Sequence, residues 1–405
     1  MNSGHDEQDY LDSFLESAFA AGDGVRTDSL DRDEIDAVPP RVGRYPVVSC
    51  VGRGGVGVVY RVEDPELGRE VAVKVLRSKF RADSELVTRF REEARLCGRL
   101  THPAIVTVHE IGELDDGTPY FAMRLVDGVT LASMLDPTLG RAPTHELIEV
   151  FGDICQAIAY VHDAGVVHGD LKPQNVMVGA FHEVQIMDWG FAFESARSTA
   201  DVTQSRPKSG GTPAYMAPEQ SRGSSIEITE RTDVFGLGAI LCEILTGTPP
   251  YVGELREEVY LSAARGWQDE AVARLEACGA DPRLVGLARR CLDPDPENRP
   301  ANASLVALEV ARYRAELEER ARLLEIEAVE AKATATHARR SRRLTVALAV
   351  VVVVAILVAG MVAFFVQSDA AERRLETQRI VDAALAEAAA ERSAALRGGD
   401  EAGRH

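Results

Sequence analysis

The chain has no amino-terminal apolar run, no cysteine cluster and no excess of positive charge, and each absence removes a class of function. Residues 1–40 are rich in Asp and Glu and lack both the basic stretch and the apolar core of a secretory leader. They read as a disordered acidic tail ending at Pro39-Pro40. Leu11, Phe14, Leu15 and Phe19 could line one face of a short docking helix there, against the simpler reading of a solvated tail. The six cysteines, Cys50, Cys97, Cys155, Cys242, Cys278 and Cys291, are scattered with neither C-x-x-C nor His-paired spacing. That pattern suits free thiols in a reducing compartment, not a disulfide framework or a zinc site. A net charge of −19 argues against a nucleic-acid partner. The length of 405 residues allows two or three domains and one large core.

What is present centres on His168–Gly190, HGDLKPQNVMVGAFHEVQIMDWG. Asp170, Lys172 and Asn175 share one short run, and Asp188 closes an expected hairpin of Val176–Val178, a turn at Gly179–His182 and Val184–Met187. Phosphoryl transfer needs these groups: a carboxylate for the attacking hydroxyl, a lysine for the phosphate, and a carboxamide and carboxylate for Mg²⁺. Upstream, Gly52-Arg-Gly-Gly-Val-Gly57 lies between strand-like runs at Val47–Val51 and Val58–Val62. Such a turn lets backbone N–H groups approach phosphate. A dinucleotide fingerprint would need a helix next, whereas a second strand follows. Lys74 sits in a third strand, Val71–Leu76, where an amine is costly unless it meets an anion or faces solvent. Further expected elements are a helix at Arg89–Leu100, strands Ile105–Ile111 and Tyr120–Leu125 around Asp115-Asp116-Gly117, and a helix at His145–Ala164.

In this order and spacing the motifs resemble bacterial Hanks-type serine/threonine protein kinases over Arg44–Arg314. The resemblance implies an α+β, two-lobed fold with a small β-rich N-lobe and a helical C-lobe. It also implies ATP and Mg²⁺ as cofactors, and transfer of the γ-phosphoryl group to protein Ser or Thr, including autophosphorylation. Carried over to this chain, Val51, Gly52, Gly54 and Gly57 cover the nucleotide. Val59, Ala72 and Met177 sandwich the base, Met123 closes the pocket behind it, and Arg124–Asp127 is the hinge. Lys74 holds the α/β-phosphates and pairs with Glu93; a shift to neighbouring Glu92 would turn the carboxylate by about 100°. Asp170 is the catalytic base, Lys172 meets the γ-phosphoryl group, and Asn175 and Asp188 are metal ligands. In the activation segment, Gly190–Glu219, the candidate autophosphorylation sites are Ser195, Ser198, Thr199, Thr203, Ser205 and Ser209. Thr212 bonds toward the catalytic aspartate, Glu219 pairs with Arg299, and Asp233 braces the catalytic loop.

Two positions depart from the family pattern. His168-Gly169-Asp170 lacks the arginine that reads a phosphorylated activation loop, so that switch is not expected. Asp188-Trp189-Gly190 has tryptophan where phenylalanine is usual, and the added volume should restrict an inactive flip of Asp188. The rival reading is a membrane-tethered pseudokinase scaffold. Lys74, Asp170, Asn175 and Asp188 are all present, which favours an active enzyme.

Residues 315–343 read as a juxtamembrane helix. A seam through Val310, Tyr313, Leu317, Ala321, Leu324, Ala328, Ala331 and Ala335 fits either a homodimerising coiled coil or a single solvated helix. Leu344–Val366 is uncharged, almost wholly apolar and long enough to cross a bilayer. Arg339, Arg340, Arg342 and Arg343 precede it, so the positive-inside bias puts the kinase on the cytoplasmic side of the cell (inner) membrane. Ala355, Ala359 and Ala363 form a small-residue face that would suit helix pairing. Residues 367–405 read as a short extracytoplasmic helical tail, not a ligand-binding domain.

Overall fold

The structure, a computed structural model, describes residues 38–194, 211–223 and 228–401. The Leu11–Phe19 segment and the six candidate phosphorylation sites lie outside the described residues. Two compact units are distinguished, Met1–Glu316 and Leu317–His405.

The first unit begins with β1 (Arg41–Val42), β2 (Tyr45–Arg53), β3 (Gly57–Asp64) and β4 (Arg69–Leu76), followed by helix α1 (Ser84–Arg99), β5 (Val108–Glu113) and β6 (Pro119–Met123). The strands form one antiparallel sheet in the order β1-β2-β3-β4-β6-β5. Alternation along β3 and β4 sorts their side chains onto two faces. Val58, Tyr60, Val62, Val71, Val73 and Val75 pack with Tyr120 and Ala122 on one face. Ala72, Phe121 and Met123 occupy the other, packed with Phe90 and Ala94 of α1. The register sets Val59 opposite Lys74, and Lys74 opposite Phe121, which places the lysine on the α1 side of the sheet.

Two boundaries differ from expectation. Helix α1 starts at Ser84, before Arg89, because the Asp83 carboxylate accepts the Glu85 and Leu86 amides and caps it. Strand β5 starts at Val108, because Ile105 leaves the N-lobe sheet and bridges Ile186 instead.

The C-lobe continues with β7 (Gly128–Thr130), α2 (Leu131–Leu135), α3 (Thr144–Asp163), β8 (Val166–Val167), β9 (Val176–Gly179), β10 (Val184–Ile186) and β11 (Phe193–Glu194). Strands β10-β9-β7 form a small sheet, and β11 pairs with β8. Helices α4 (Pro218–Ser221), α5 (Glu230–Thr246), α6 (Arg256–Arg265), α7 (Asp269–Ala277), α8 (Pro282–Cys291) and α9 (Ala303–Glu401) follow. Every residue from Thr232 to Cys242 in α5 is buried, so this helix is apolar nearly all round and forms the axis of the lobe. At Gly236 a Cβ would lie 2.9 Å from Leu171 Cβ, so the absent side chain lets the loop that carries Asp170 and Leu171 rest directly on α5.

Ala303, Val306 and Val310 of α9 are buried in the C-lobe core, and Tyr313 packs against it. These two members of the proposed seam, Val310 and Tyr313, therefore belong to the C-lobe core rather than to a helix–helix seam. Arg314 pairs with Glu149 and, at 3.6 Å, with Asp153, fastening the same turns of α9 to α3. In the second unit Leu317, Leu323 and Leu324 are exposed. Among the described residues one helical segment, Ser341–Ala390, contains a stretch long and apolar enough to cross a membrane, with none of it buried against protein.

Candidate active site

The glycine-rich turn joins β2 to β3 and is closed by the Gly54 amide donating to the Gly57 carbonyl at 2.8 Å. Gly57 is buried beside Lys74, while Gly52, Gly54 and Val51 are exposed at the strand ends. Ala72 and Met123 are register partners, with Val59 packed beside them. Met177, half-buried on β9, and Val51 are not part of this apolar cluster.

Lys74 Nζ lies 2.6 Å from Glu93 Oε1 and 3.5 Å from Asp188 Oδ1. Glu93 is buried on α1 and the adjacent Glu92 is exposed, so helix phase alone decides which carboxylate meets the lysine. Burial by itself would lower the Lys74 pKa; the charges of Glu93 and Asp188 outweigh it and hold the ammonium above the ordinary lysine value. Asp188 adopts φ +59° and leaves its side chain 46% exposed, beside Lys74. Asp is one of the few L-residues that adopt this left-handed region without a large cost.

Asp170 lies in the loop between β8 and β9. Its carboxylate accepts Lys172 Nζ at 2.6 Å, Asn175 Nδ2 at 3.2 Å and the Thr212 amide at 3.3 Å. Lys172 Nζ also donates to Thr212 Oγ1 at 2.8 Å, tying the activation-segment end to the loop. Beneath it, Asp233 accepts the His168 and Gly169 amides at 2.7 and 2.8 Å. Burial would raise the Asp233 pKa; hydrogen bonding from His162 leads the contributions that reverse this, holding the carboxyl below its ordinary range. Glu219 and Arg299 form a two-pronged buried pair at 2.8 and 2.9 Å.

The two departures have local explanations. Gly169 has φ +78°, and a Cβ there would sit 2.9 Å from the Phe191 carbonyl oxygen. Gly169→Ala is therefore expected to cost about 1–2 kcal/mol from the left-handed backbone alone. Thermal unfolding reads this; an unchanged midpoint would contradict it. Trp189 is fully buried, donates its indole N–H to the Ile186 carbonyl at 3.2 Å and packs its ring 4.7 Å from that of His168. Its polar handle is thereby satisfied, as a buried tryptophan requires.

The motifs left some neighbours of the site undetected. His168 Nδ1 accepts the Asp170 amide at 3.2 Å while its Nε2–H donates to the Met187 carbonyl at 3.2 Å, joining the Asp170 loop to the residue before Asp188. Arg99 at the end of α1 pairs with Glu194 on β11. Tyr215 donates to Glu243 Oε2 at 2.7 Å. His168, Glu194 and Tyr215 lie within stretches the motifs mark out, whereas Arg99 carries no motif signal.

Comparison with known proteins decides the family. The description "protein kinase domain" matches residues 45–310, well over half of the chain. The chain belongs to the protein kinase family. Its kinase domain is 39% identical over 272 residues to the serine/threonine-protein kinase PknB of Mycobacterium tuberculosis, covering 66% of this chain and 42% of that protein. It is 38% identical over 278 residues to PknB of Mycobacterium leprae, covering 68% and 44%. A probable serine/threonine-protein kinase of Streptomyces coelicolor is 35% identical over 271 residues, covering 66% and 39%. The chain thus spans less than half the length of these relatives, and the similarity to them falls on the kinase domain.

Proposed function

We propose that this chain is a serine/threonine protein kinase that uses ATP and Mg²⁺, is held in the cell membrane by Leu344–Val366, and phosphorylates protein substrates and itself. The observation that carries the reading is Lys74 Nζ lying within 3.5 Å of both Glu93 and Asp188, so that a sheet strand, a helix and the C-lobe hairpin meet at one cation. Among the described residues no three His, Cys, Asp or Glu side chains group into an all-protein metal cage. The oxygens of Asn175 and Asp188 fit a hard divalent ion that takes its remaining ligands from phosphate and water. Such an ion would neutralise charge developing on the transferred group.

The protein's own contribution is positioning. Lys74 is fixed by Glu93 so that its ammonium faces the phosphates rather than water. Asp170, held by the Asp233 brace, orients the substrate hydroxyl and accepts its proton. Lys172 lies between Asp170 and Thr212, where it would meet the γ-phosphoryl group. The relatives' names as serine/threonine-protein kinases support the choice of acceptor. The arginines before Leu344 support a cytoplasmic kinase, and the exposed leucines after Arg314 would suit pairing with a second copy.

The full chain, purified in detergent and given ATP, is expected to place phosphate on Ser or Thr, read by mass spectrometry. Removing divalent ions with EDTA should lower transfer by at least about 10²-fold, and Mg²⁺ should restore it. Folded protein that binds ATP yet transfers nothing to itself or to generic substrates would favour the pseudokinase. Transfer undiminished by EDTA would remove the metal role of Asn175 and Asp188.

A further inference from the structure

The apolar stretch of α9 is wholly exposed, and the residues just before it are as one-sided in charge as the stretch is in polarity. Arg339, Arg340, Arg342 and Arg343 crowd into one run, and no Asp or Glu occurs between Glu330 and Asp369. Arg339, Arg342 and Arg343 are exposed, and at helical steps of three and four they share a face about 100° wide. Among the described residues no carboxylate pairs with them, whereas beyond the stretch Arg373 meets Asp369 at 3.4 Å.

The length of the span fixes the depth of this patch. Leu344–Val366 extends about 34 Å at about 1.5 Å per residue, enough to fill a hydrocarbon layer of about 30 Å. The arginines then lie about 2–8 Å along the helix axis from the hydrocarbon edge, within the headgroup layer on that side. A guanidinium is a planar fork that can donate two parallel hydrogen bonds to the oxygens of one phosphodiester, and it stays charged throughout the physiological pH range. With no carboxylate at hand, such a cluster favours lipids of net negative charge. A zwitterionic lipid carries its own cation, which competes for its phosphate.

We infer that the Arg339–Arg343 run is a binding site for the phosphodiester headgroups of anionic lipids, with phosphatidylglycerol as the simplest ligand. The site rests on the reading of Leu344–Val366 as a membrane span. Orientation alone requires only positive charge on that side; the site requires a preference among lipids.

The test uses the full chain in mild detergent, offered equal amounts of phosphatidylglycerol and phosphatidylcholine. Native mass spectrometry counts the lipids each chain retains. One arginine at an anionic surface is worth about fivefold in affinity, so the wild type should prefer phosphatidylglycerol by at least about fivefold. The preference should fall to near one in R339Q/R340Q/R342Q/R343Q and stay unchanged in R373Q/R374Q, on the far side of the span. A wild type without preference, a preference that survives the fourfold change, or an equal loss in both variants overturns the inference. Should the fourfold variant not be obtained folded, salt decides on the wild type. Raising ammonium acetate from about 0.1 to about 1 M shortens the Debye length from about 10 to about 3 Å and should bring the preference toward one. A preference indifferent to salt overturns the site. Alkaline washing of vesicles that hold the chain tests the span separately. Release of the chain defeats the span and the site with it, whereas retention without lipid preference defeats the site alone.

Discussion

Asp170→Asn is expected to lower kcat by about 10²–10⁴-fold while leaving ATP affinity within about twofold. The substitution keeps the size of the side chain and an oxygen that can accept hydrogen bonds. It removes the charge and, with it, the proton acceptor that the proposed transfer requires. It also places a neutral amide where Lys172 Nζ now meets a carboxylate oxygen at 2.6 Å, which weakens the hold on Lys172 and, through it, on Thr212. The backbone of the loop should not move, because the Asp233 carboxylate binds the His168 and Gly169 amides, not the Asp170 side chain. ATP affinity should survive because Lys74 and the glycine turn approach from the N-lobe. Single-turnover transfer and direct ATP titration separate the two quantities. Undiminished turnover would remove Asp170 from the chemistry, and a matching loss of ATP affinity would mean that the loop itself had shifted.

Residues that announce themselves by local pattern were legible before any coordinates. The glycine turn, the valine strands around Lys74 and the D-x-K-x-x-N run each owe their form to neighbours within a few residues, and the family resemblance supplied their order. Polar groups whose partners lie far along the chain were not legible. His162 meets Asp233 and Ala303 across separations of 71 and 141 residues, and nothing near it in sequence distinguishes it from any histidine at a helix end. Arg99 and Glu194 are 95 residues apart and equally silent. The start of α1 was missed because Asp83 caps a polar first turn, which apolar periodicity does not register. The apolar face at the start of α9 misleads for the opposite reason. Periodicity reports that Val310 and Tyr313 share an apolar face, and cannot tell the core of the same chain from a partner helix.

Arg299→Met should be the most destabilising of the changes considered, at about 3–5 kcal/mol, because it strands Glu219 in the interior. Both side chains are essentially inaccessible, 0% and 1% exposed. The guanidinium donates twice to Glu219 and also to the carbonyls of Asp293, Arg231 and Pro294, with its plane 4.9 Å over the Phe235 ring. Among the described residues, Glu219 keeps the Thr232 hydroxyl, at 2.9 Å, once the arginine is gone. A loss of that size is a large part of the about 5–15 kcal/mol that holds a typical domain together, so the thermal midpoint should fall by on the order of 10 °C. The effect should be almost independent of salt, unlike that of the half-exposed Arg290–Glu309 pair, whose worth is about 0–1 kcal/mol and screened. Adding Glu219→Gln should restore much of the stability, since the amide still accepts from Thr232 and carries no charge to strand. Thermal unfolding of the detergent-solubilised chain measures both variants. If Arg299→Met lies within about 1 kcal/mol of wild type, the pair does not hold the activation-segment end to the C-lobe, and the Tyr215–Glu243 bond together with the contacts of Thr212 to Lys172 and Asp170 holds it instead.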